Sequence, residues 1–365
     1  MVAALIRLAI RERLIIAGLT LGLVILGMVA MSHLSVDAFP DVTNVQVQVA
    51  AELPGGSPEE VERFVTVPLE RAMTGLPGLA EMRSINRNAL SQINLVFTDD
   101  TDVYFARQLV LERLIEAGAE LPAGVTPILG PVSSGLGEVY QYTLERADDG
   151  TRALAVAELT ERRTVQDWVL RPLLRGIPGV ADVTSIGGFE REYQILADPD
   201  RLRHYGLTLR EVYTALALNN ANSGGGKLPR YAEQYLIRGT GLIETVADIG
   251  NIVLRESDGT PVFIRDVAQV RIDHAARSGA VITNGQTEAV GGIVVMIRGG
   301  NAKQVVSLIQ QRVADINAQG LLPDGLKIVP YYDRSQLVDA AIHTVSKVLI
   351  EGIGLVILVL LLYLG

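Results

Sequence analysis

The chain has 365 residues, 48% hydrophobic and 20% charged, with a formal net charge of −9 and no cysteine. Lacking cysteine, it has no disulfides, no thiolate metal ligands and no cysteine nucleophile. The acidic balance and the absence of a long Lys/Arg run exclude a nucleic-acid stripe, and solubility of a large polar region is its plainest meaning.

Residues 14–31 form an uncharged apolar stretch. As a helix this stretch spans ~27 Å at ~1.5 Å per residue, close to the hydrocarbon thickness of a bilayer. Arg7, Arg11 and Arg13 precede it, and Asp37 and Asp41 follow. That asymmetry predicts a cytoplasmic N-terminus. A cleaved leader is the alternative, since Ala30-Met31-Ser32 has the form of a cleavage site, but the apolar run is long for one. Met28, Met31 and His33 are soft donors suited to copper(I). Methionine as packing filler is the plainer reading.

"NVQVQVA" (44–50) alternates Val45, Val47 and Val49 against Gln46 and Gln48, the period of a strand. A helix follows, opened by a capping box of Ser57 and Glu60 with Pro58 at its first position. Val61, Phe64, Val65, Leu69, Ala72 and Met73 share a face of it, and Pro68 predicts a kink. "LAEMRSI" and "SQINLVF" read as strands, 102–117 as a second helix and "VTPILG" as a last strand. The order is βαββαβ, a split βαβ layout.

A second copy begins with the strand "VYQYTL" (139–144) and a helix over 154–175 that holds Trp168, the only tryptophan. "LPGLAEMRSI" (76–85) matches "IPGVADVTSI" (177–186), each with Pro-Gly ending a helix. The copy is then interrupted by an insert of about 188–273. It resumes with "AVITNGQTEAVGGIVVMI", whose Asn284-Gly285 predicts a hairpin turn, a helix near 302–317 and the strand "KIVPYY". The insert carries a helix capped by Thr208 and Glu211, then a glycine-rich loop, "ANSGGGKLPRYAEQY". Residues 348–365 are a second apolar span, with Glu351 one helical turn from Lys347 and able to pair with it.

Little of this suits an enzyme. "GGGK" (224–227) lacks the Ser or Thr and the following helix of a phosphate loop. His33, His204, His274 and His343 show no zinc-helix spacing, and there is no Gly-x-Ser-x-Gly elbow. No catalytic, cofactor or metal-binding residue is nominated.

"DAFPDVTNVQVQV", "LPAGVTPILGP", "LGEVYQYTL", "QDWVLRPLL", "IPGVADVTSIGG", "EYQILADPDRL", "AEQYLIR" and "YDRSQLVDAAI" together resemble the resistance-nodulation-division (RND) exporters, from the first span to the last residue. "DVTNVQVQV" and "QDWVLRPLL" resemble the heavy-metal branch in particular. The resemblance implies an α+β membrane protein, with two transmembrane helices flanking tandem ferredoxin-like βαββαβ porter subdomains and an inserted docking subdomain. Residues 1–37 would be the cytoplasmic N-terminus and first membrane helix, and 38–128 the first porter subdomain. The second would be 129–187 with 274–330, the docking subdomain 188–273, and the linker and second helix 331–365. Asn222, Ser223, Gly224, Gly225, Gly226 and Lys227 would form a docking loop that reaches into a neighbouring subunit.

It further implies an efflux antiporter in the bacterial inner membrane, its bulk periplasmic. The pump would work as a homotrimer embedded in membrane lipid, with a periplasmic adaptor and an outer-membrane channel, moving a heavy-metal ion against protons and needing no cofactor or nucleic acid. The family's proton-relay carboxylates and its principal metal site lie outside the stretch matched here, so the chain reads as an N-terminal piece that transports nothing alone. A multidrug-branch exporter and a two-span membrane sensor are the alternatives.

Overall fold

A computed structural model describes residues 11–33, 42–231, 233–257, 259–277 and 279–364. Arg7, Asp37 and Asp41, which carry the orientation argument, lie outside the described residues, as do the side chains of Arg13, Met31 and His33. The first helix, α1, is Arg13–His33.

Strand β1 (Val45–Glu52) buries Val45, Val47, Val49 and Ala51 on one face. Helix α2 consists of Pro58–Val61, a π-turn at Glu62–Thr66 and Val67–Met73. Its capping box is formed: the Glu60 N–H donates to Ser57 Oγ at 3.3 Å, and the Ser57 N–H donates to Glu60 Oε2 at 2.9 Å. The disturbance expected at Pro68 takes the form of the π-turn, in which the Val67 N–H reaches back to the Glu62 carbonyl. β2 (Leu79–Arg87), β3 (Leu90–Phe97), α3 (Val103–Ala117) and β4 (Ile128–Leu129) complete the unit.

The sheet order is β2-β3-β1-β4, with every pairing antiparallel. Val65, Leu69 and Met73 of α2 and Ala106, Val110 and Leu114 of α3 share one core with Ile93, Leu95 and Phe97. β4 is shorter than "VTPILG" suggests: it pairs only through Ile128 and Leu129, just after Pro127, which has no N–H for a ladder.

The second repeat uses β5 (Glu138–Glu145), then α4, made of Val156–Val165, a π-turn at Gln166–Leu170 and Arg171–Arg175. β6 (Val180–Gly187) follows. Next comes the insert: β7 (Arg191–Ala197), α5 (Pro199–His204), α6 (Leu209–Leu218), β8 (Ser223–Arg230), β9 (Glu233–Gly239), α7 (Val246–Gly250), β10 (Val253–Ser257), β11 (Thr260–Phe263), α8 (Ile264–Val267) and β12 (Ala268–His274).

The repeat resumes with β13 (Val281–Thr283), β14 (Thr287–Met296), α9 (Ala302–Gln319) and β15 (Lys327–Asp333). Its sheet runs β13-β14-β5-β15, with β6 also on β14. Asn284 and Gly285 both take positive φ, 52° and 69°, as a tight hairpin turn requires. In the insert β7 pairs with β12 antiparallel along its whole length. Leu202, Leu207, Val212, Ile249, Val262, Ile264 and Val267 form a separate small core there.

The last helix, α10, is Arg334–Leu364 and follows β15 with no linker. Among the described residues it is the one helix long and apolar enough to cross a membrane, over Arg334–Tyr363; the apolar part of α1, Leu14–Ala30, is shorter. The chain packs as two compact units: 1–146, 170–184 and 292–365 form one, and 147–169 with 185–291 the other.

Candidate functional site

Most of the residues singled out as a docking loop lie in a strand. Ser223, Gly224, Gly225, Gly226 and Lys227 belong to strand β8, which pairs antiparallel with β9 from Ser223↔Gly239 to Arg230↔Glu233. Glycine and proline favour neither strand nor helix, so the segment reads as coil until its partner strand is known. The register shifts between Gly224 and Lys227, which places a bulge at the consecutive glycines. Asn222 stands just before the strand, and its Oδ1 accepts the Gly241 N–H at 3.0 Å. Asn220 does the same for Ile243 at 3.1 Å, so two asparagines close the base of the hairpin.

Every residue of β8 is exposed. Leu228, Tyr235, Leu236 and Ile237 are exposed too, and Tyr231 at the tip is wholly so. A lone two-stranded ribbon is marginal in water. The sequence reading missed Tyr231 as the tip, because the glycine-rich run before it carries no strand signal of its own.

No metal centre emerges. Among the described residues no group of three or more His, Asp and Glu side chains is placed to hold an ion. His204 stacks edge-on against Tyr205 at 5.0 Å, and His274 packs on Phe189 at 4.3 Å. His343 is exposed on α10. The ion pair anticipated between Lys347 and Glu351 is not formed among the described residues; both side chains stand out from the exposed surface of α10.

A cavity of about 430 Å³ is lined by Arg163, Ser185, Gly187, Glu190, Arg277 and Val281, among others. Its cations are already matched. Arg163 pairs with Asp167 at 2.7 Å, and Arg277 grips Glu288 with two bonds of 2.7 and 2.8 Å. That grip raises the pKa of Arg277 and lowers that of Glu288. Both cations in the lining are thus committed to carboxylate partners.

The base of α10 is fastened by several side chains. The Ser335 N–H donates to Asp333 Oδ1 at 2.8 Å, so Asp333 caps the helix. Gln310 on α9 donates to Asp333 Oδ2. Arg334, only 4% exposed, donates to the Leu136 carbonyl. Lys303 pairs with Asp339 at 2.8 Å. Tyr140, on the strand paired with β15, has its hydroxyl pKa pushed up to about 12, first by burial and then by Asp333.

These elements define a class: a mixed α/β protein of strand–helix units joined in one chain to a long apolar helix. The AcrB/AcrD/AcrF family profile matches residues 5–365. The chain belongs to this family, the RND transporters. It is 46% identical over 362 residues to the cation efflux system protein CzcA of Alcaligenes sp. strain CT14, covering 99% of this chain and 34% of that protein. It is 44% identical to protein HelA of Legionella pneumophila, and 38% identical to the cation efflux system protein CusA of Escherichia coli K12. Both of those alignments cover 100% of this chain and 34% of the relative. The crystal structure of a heavy metal efflux pump superimposes with a TM-score of 0.87 at 36% identity, over 99% of this chain and 35% of that one. The chain thus spans about a third of the length of the curated relatives it matches.

Proposed function

We propose that this chain forms the N-terminal third of a proton-driven heavy-metal efflux pump in the bacterial inner membrane, with the N-terminus cytoplasmic and the bulk periplasmic. The observation that carries the reading is the unbroken similarity, 46% identity along 99% of the chain, to a protein named for cation efflux. Helices α1 and α10 are the two membrane anchors. Residues 38–128 are one porter subdomain, 129–187 with 274–330 the other, and 188–273 the docking subdomain. Both porter units are ferredoxin-like, and their sheets are the moving walls of alternating access. Protonation of carboxylates elsewhere in the pump biases the membrane bundle between two states, and the walls follow.

The β8–β9 hairpin, from Asn222 to the exposed Tyr231, docks on a neighbouring subunit of a homotrimer. What supports this is its exposed apolar surface on an otherwise unsupported ribbon. A periplasmic adaptor and an outer-membrane channel complete the export path.

The test is metal flux in proteoliposomes holding the full-length protein that carries this chain, with an imposed proton gradient and Zn²⁺, Co²⁺, Cd²⁺ or Cu⁺ as probe. Gradient-dependent movement of at least one ion is expected. Export of hydrophobic drugs with no metal movement would place the protein in the multidrug branch and overturn the metal reading.

A further inference from the structure

We infer that Asn284 is a site of spontaneous covalent modification, converted by attack of the Gly285 nitrogen into an aspartyl or isoaspartyl residue that loosens β13 from β14. Both residues lie in the turn between those strands. No other asparagine in the chain precedes glycine.

The turn leaves both reacting groups free. It is closed by the Gln286 N–H, which donates to the Thr283 carbonyl at 3.1 Å and so steps over the pair. Asn284 is exposed, and among the described residues neither its side-chain amide nor the Gly285 N–H has a hydrogen-bond partner. A methyl group built on Gly285 would meet nothing within 4 Å, so no neighbouring atom confines this stretch of backbone. Glycine also has no Cβ to obstruct the approach of the side chain to its nitrogen. Other asparagines spend their amides on structure. Asn317 donates to the Ile328 carbonyl at 3.0 Å and accepts its N–H at 2.9 Å, and Asn219 Nδ2 donates to the Ala215 carbonyl at 2.8 Å.

Asn88 provides the internal comparison. It too is exposed in a hairpin turn, between β2 and β3, and its amide is also without a partner among the described residues. Its successor is Ala89, which brings a Cβ, and the Ala89 N–H is bound to the Gly56 carbonyl at 2.9 Å. The same side chain in the same kind of turn therefore faces a nitrogen that is shielded and held.

The chemistry needs only water. The Gly285 nitrogen attacks Cγ of Asn284, the N–Cγ bond forms and the Cγ–Nδ2 bond breaks. Nδ2 leaves as ammonia, taking up the proton that the Gly285 nitrogen gives away, and a cyclic imide remains. Water then opens that imide. Opening at the side-chain carbonyl gives aspartate, and opening at the main-chain carbonyl reroutes the backbone through Cβ and Cγ. The second product lengthens the main chain by one methylene, about 1.5 Å. β13 is held to β14 only at Val281↔Ala289, Ile282↔Glu288 and Thr283↔Thr287, so a slip that starts at the turn runs through the whole strand. Glu288, in the middle rung, is the carboxylate gripped by Arg277, and Arg277 and Val281 both line the cavity described above. The displacement therefore reaches that cavity wall.

The experiment holds the full-length protein that carries this chain, folded in detergent at mildly alkaline pH, in water enriched in heavy oxygen, and maps its peptides by mass spectrometry over days. An acidic product at 284 is expected, carrying heavy oxygen from the hydrolysis step and accumulating roughly tenfold or more faster than any product at Asn88. Asn284→Gln keeps an exposed amide but must close a larger ring, and is expected to leave the position unmodified. Equal rates at Asn284 and Asn88, or modification of Asn284 only after unfolding in urea, would overturn the inference. In the isoaspartyl fraction the β13 amides are expected to exchange hydrogen several-fold faster than in the unmodified protein, and unchanged exchange would overturn the loosening of β13. Neither readout depends on metal transport.

Discussion

Gly187→Ala is a substitution whose cost can be worked from the structure. Gly187 ends β6 at φ +70°, and a methyl group built there would stand 2.2 Å from the Ala289 carbonyl oxygen and 3.2 Å from Val281 Cβ. The conformation alone costs an L-residue about 1–2 kcal/mol. The contact adds more, because the obstacle is backbone of β14 rather than the end of a flexible side chain. A shift of about 1 Å is needed, and overpacking of that kind costs about 1–3 kcal/mol. Gly55→Ala is the matched control: its φ is +77°, yet nothing lies within 4 Å of the added methyl. Urea unfolding of the purified chain in detergent, followed by circular dichroism, separates the two. Gly187→Ala is expected to lower the midpoint clearly more than Gly55→Ala, by the about 1–3 kcal/mol of the contact alone. Equal midpoints would refute the reasoning, because they would mean that β14 yields at no cost.

Thr66→Val tests the buried polar group of the first π-turn. The Thr66 hydroxyl, 1% exposed, lies 2.6 Å from both Asn86 Oδ1 and Ser91 Oγ, and its loss is expected to cost about 1–3 kcal/mol in the same urea assay. Arg162→Ala removes a guanidinium that holds Asp149 with bonds of 2.6 and 2.7 Å from a side chain 2% exposed. It is expected to cost about 3 kcal/mol or more, and Arg162→Ala with Asp149→Asn distinctly less than the separate losses added. Glu158 has its pKa lowered to about 2, chiefly by the hydrogen bond from Arg152 and then by the Ala155 N–H. A depressed carboxylate stabilises the fold above its unfolded pKa, and that contribution is lost as pH falls from about 4.3 toward 2. Glu158→Gln is therefore expected to lower the thermal midpoint at pH 6 and to lower it progressively less as pH falls toward 2, as calorimetry would show.

The strands, caps and turns of the first and second units were legible because their signals are local. Val45, Val47 and Val49 alternate with glutamines, Ser57 and Glu60 close a capping box within one turn, and the Pro-Gly stops recur with the same neighbours. The β8–β9 ribbon was not, because its residues carry weak strand preference and its order comes from a partner strand. The start of α10 was missed for a different reason. Its first turns, "RSQLVDAAIHTVSK", are too polar for an apolar window, though they belong to one continuous helix with the span. The Lys303–Asp339 pair and the bond from Arg298 to the Asn44 carbonyl at 2.8 Å join residues far apart in sequence and leave no local trace.

The two π-turns were within reach of the sequence, though periodicity was not read finely enough to see them. In α2 the residues Val61, Val65, Leu69 and Met73 are all 0% exposed, and in α4 Arg162, Gln166, Leu170 and Leu174 are at most 1% exposed. Both sets step by four, and corresponding members stand 101 positions apart, as do the two Pro-Gly stops. Four residues of an α-helix overshoot a turn by ~40°, so three such steps drift by ~120° and would swing one end of the ladder out of the core. One extra residue in a wider turn cancels most of that drift. The ladder therefore demands a π-turn in each helix, and proline chooses its place. Each π-turn ends two residues before a proline, Thr66 before Pro68 and Leu170 before Pro172, although these prolines stand at different distances from the helix ends. Pro68→Ala is accordingly expected to keep a π-turn within α2, at the same or a neighbouring residue, with Val61 still buried. A crystal structure of that variant showing an unbroken α-helix with Val61 turned to solvent would mean that proline alone, and not the core, had dictated the wider turn.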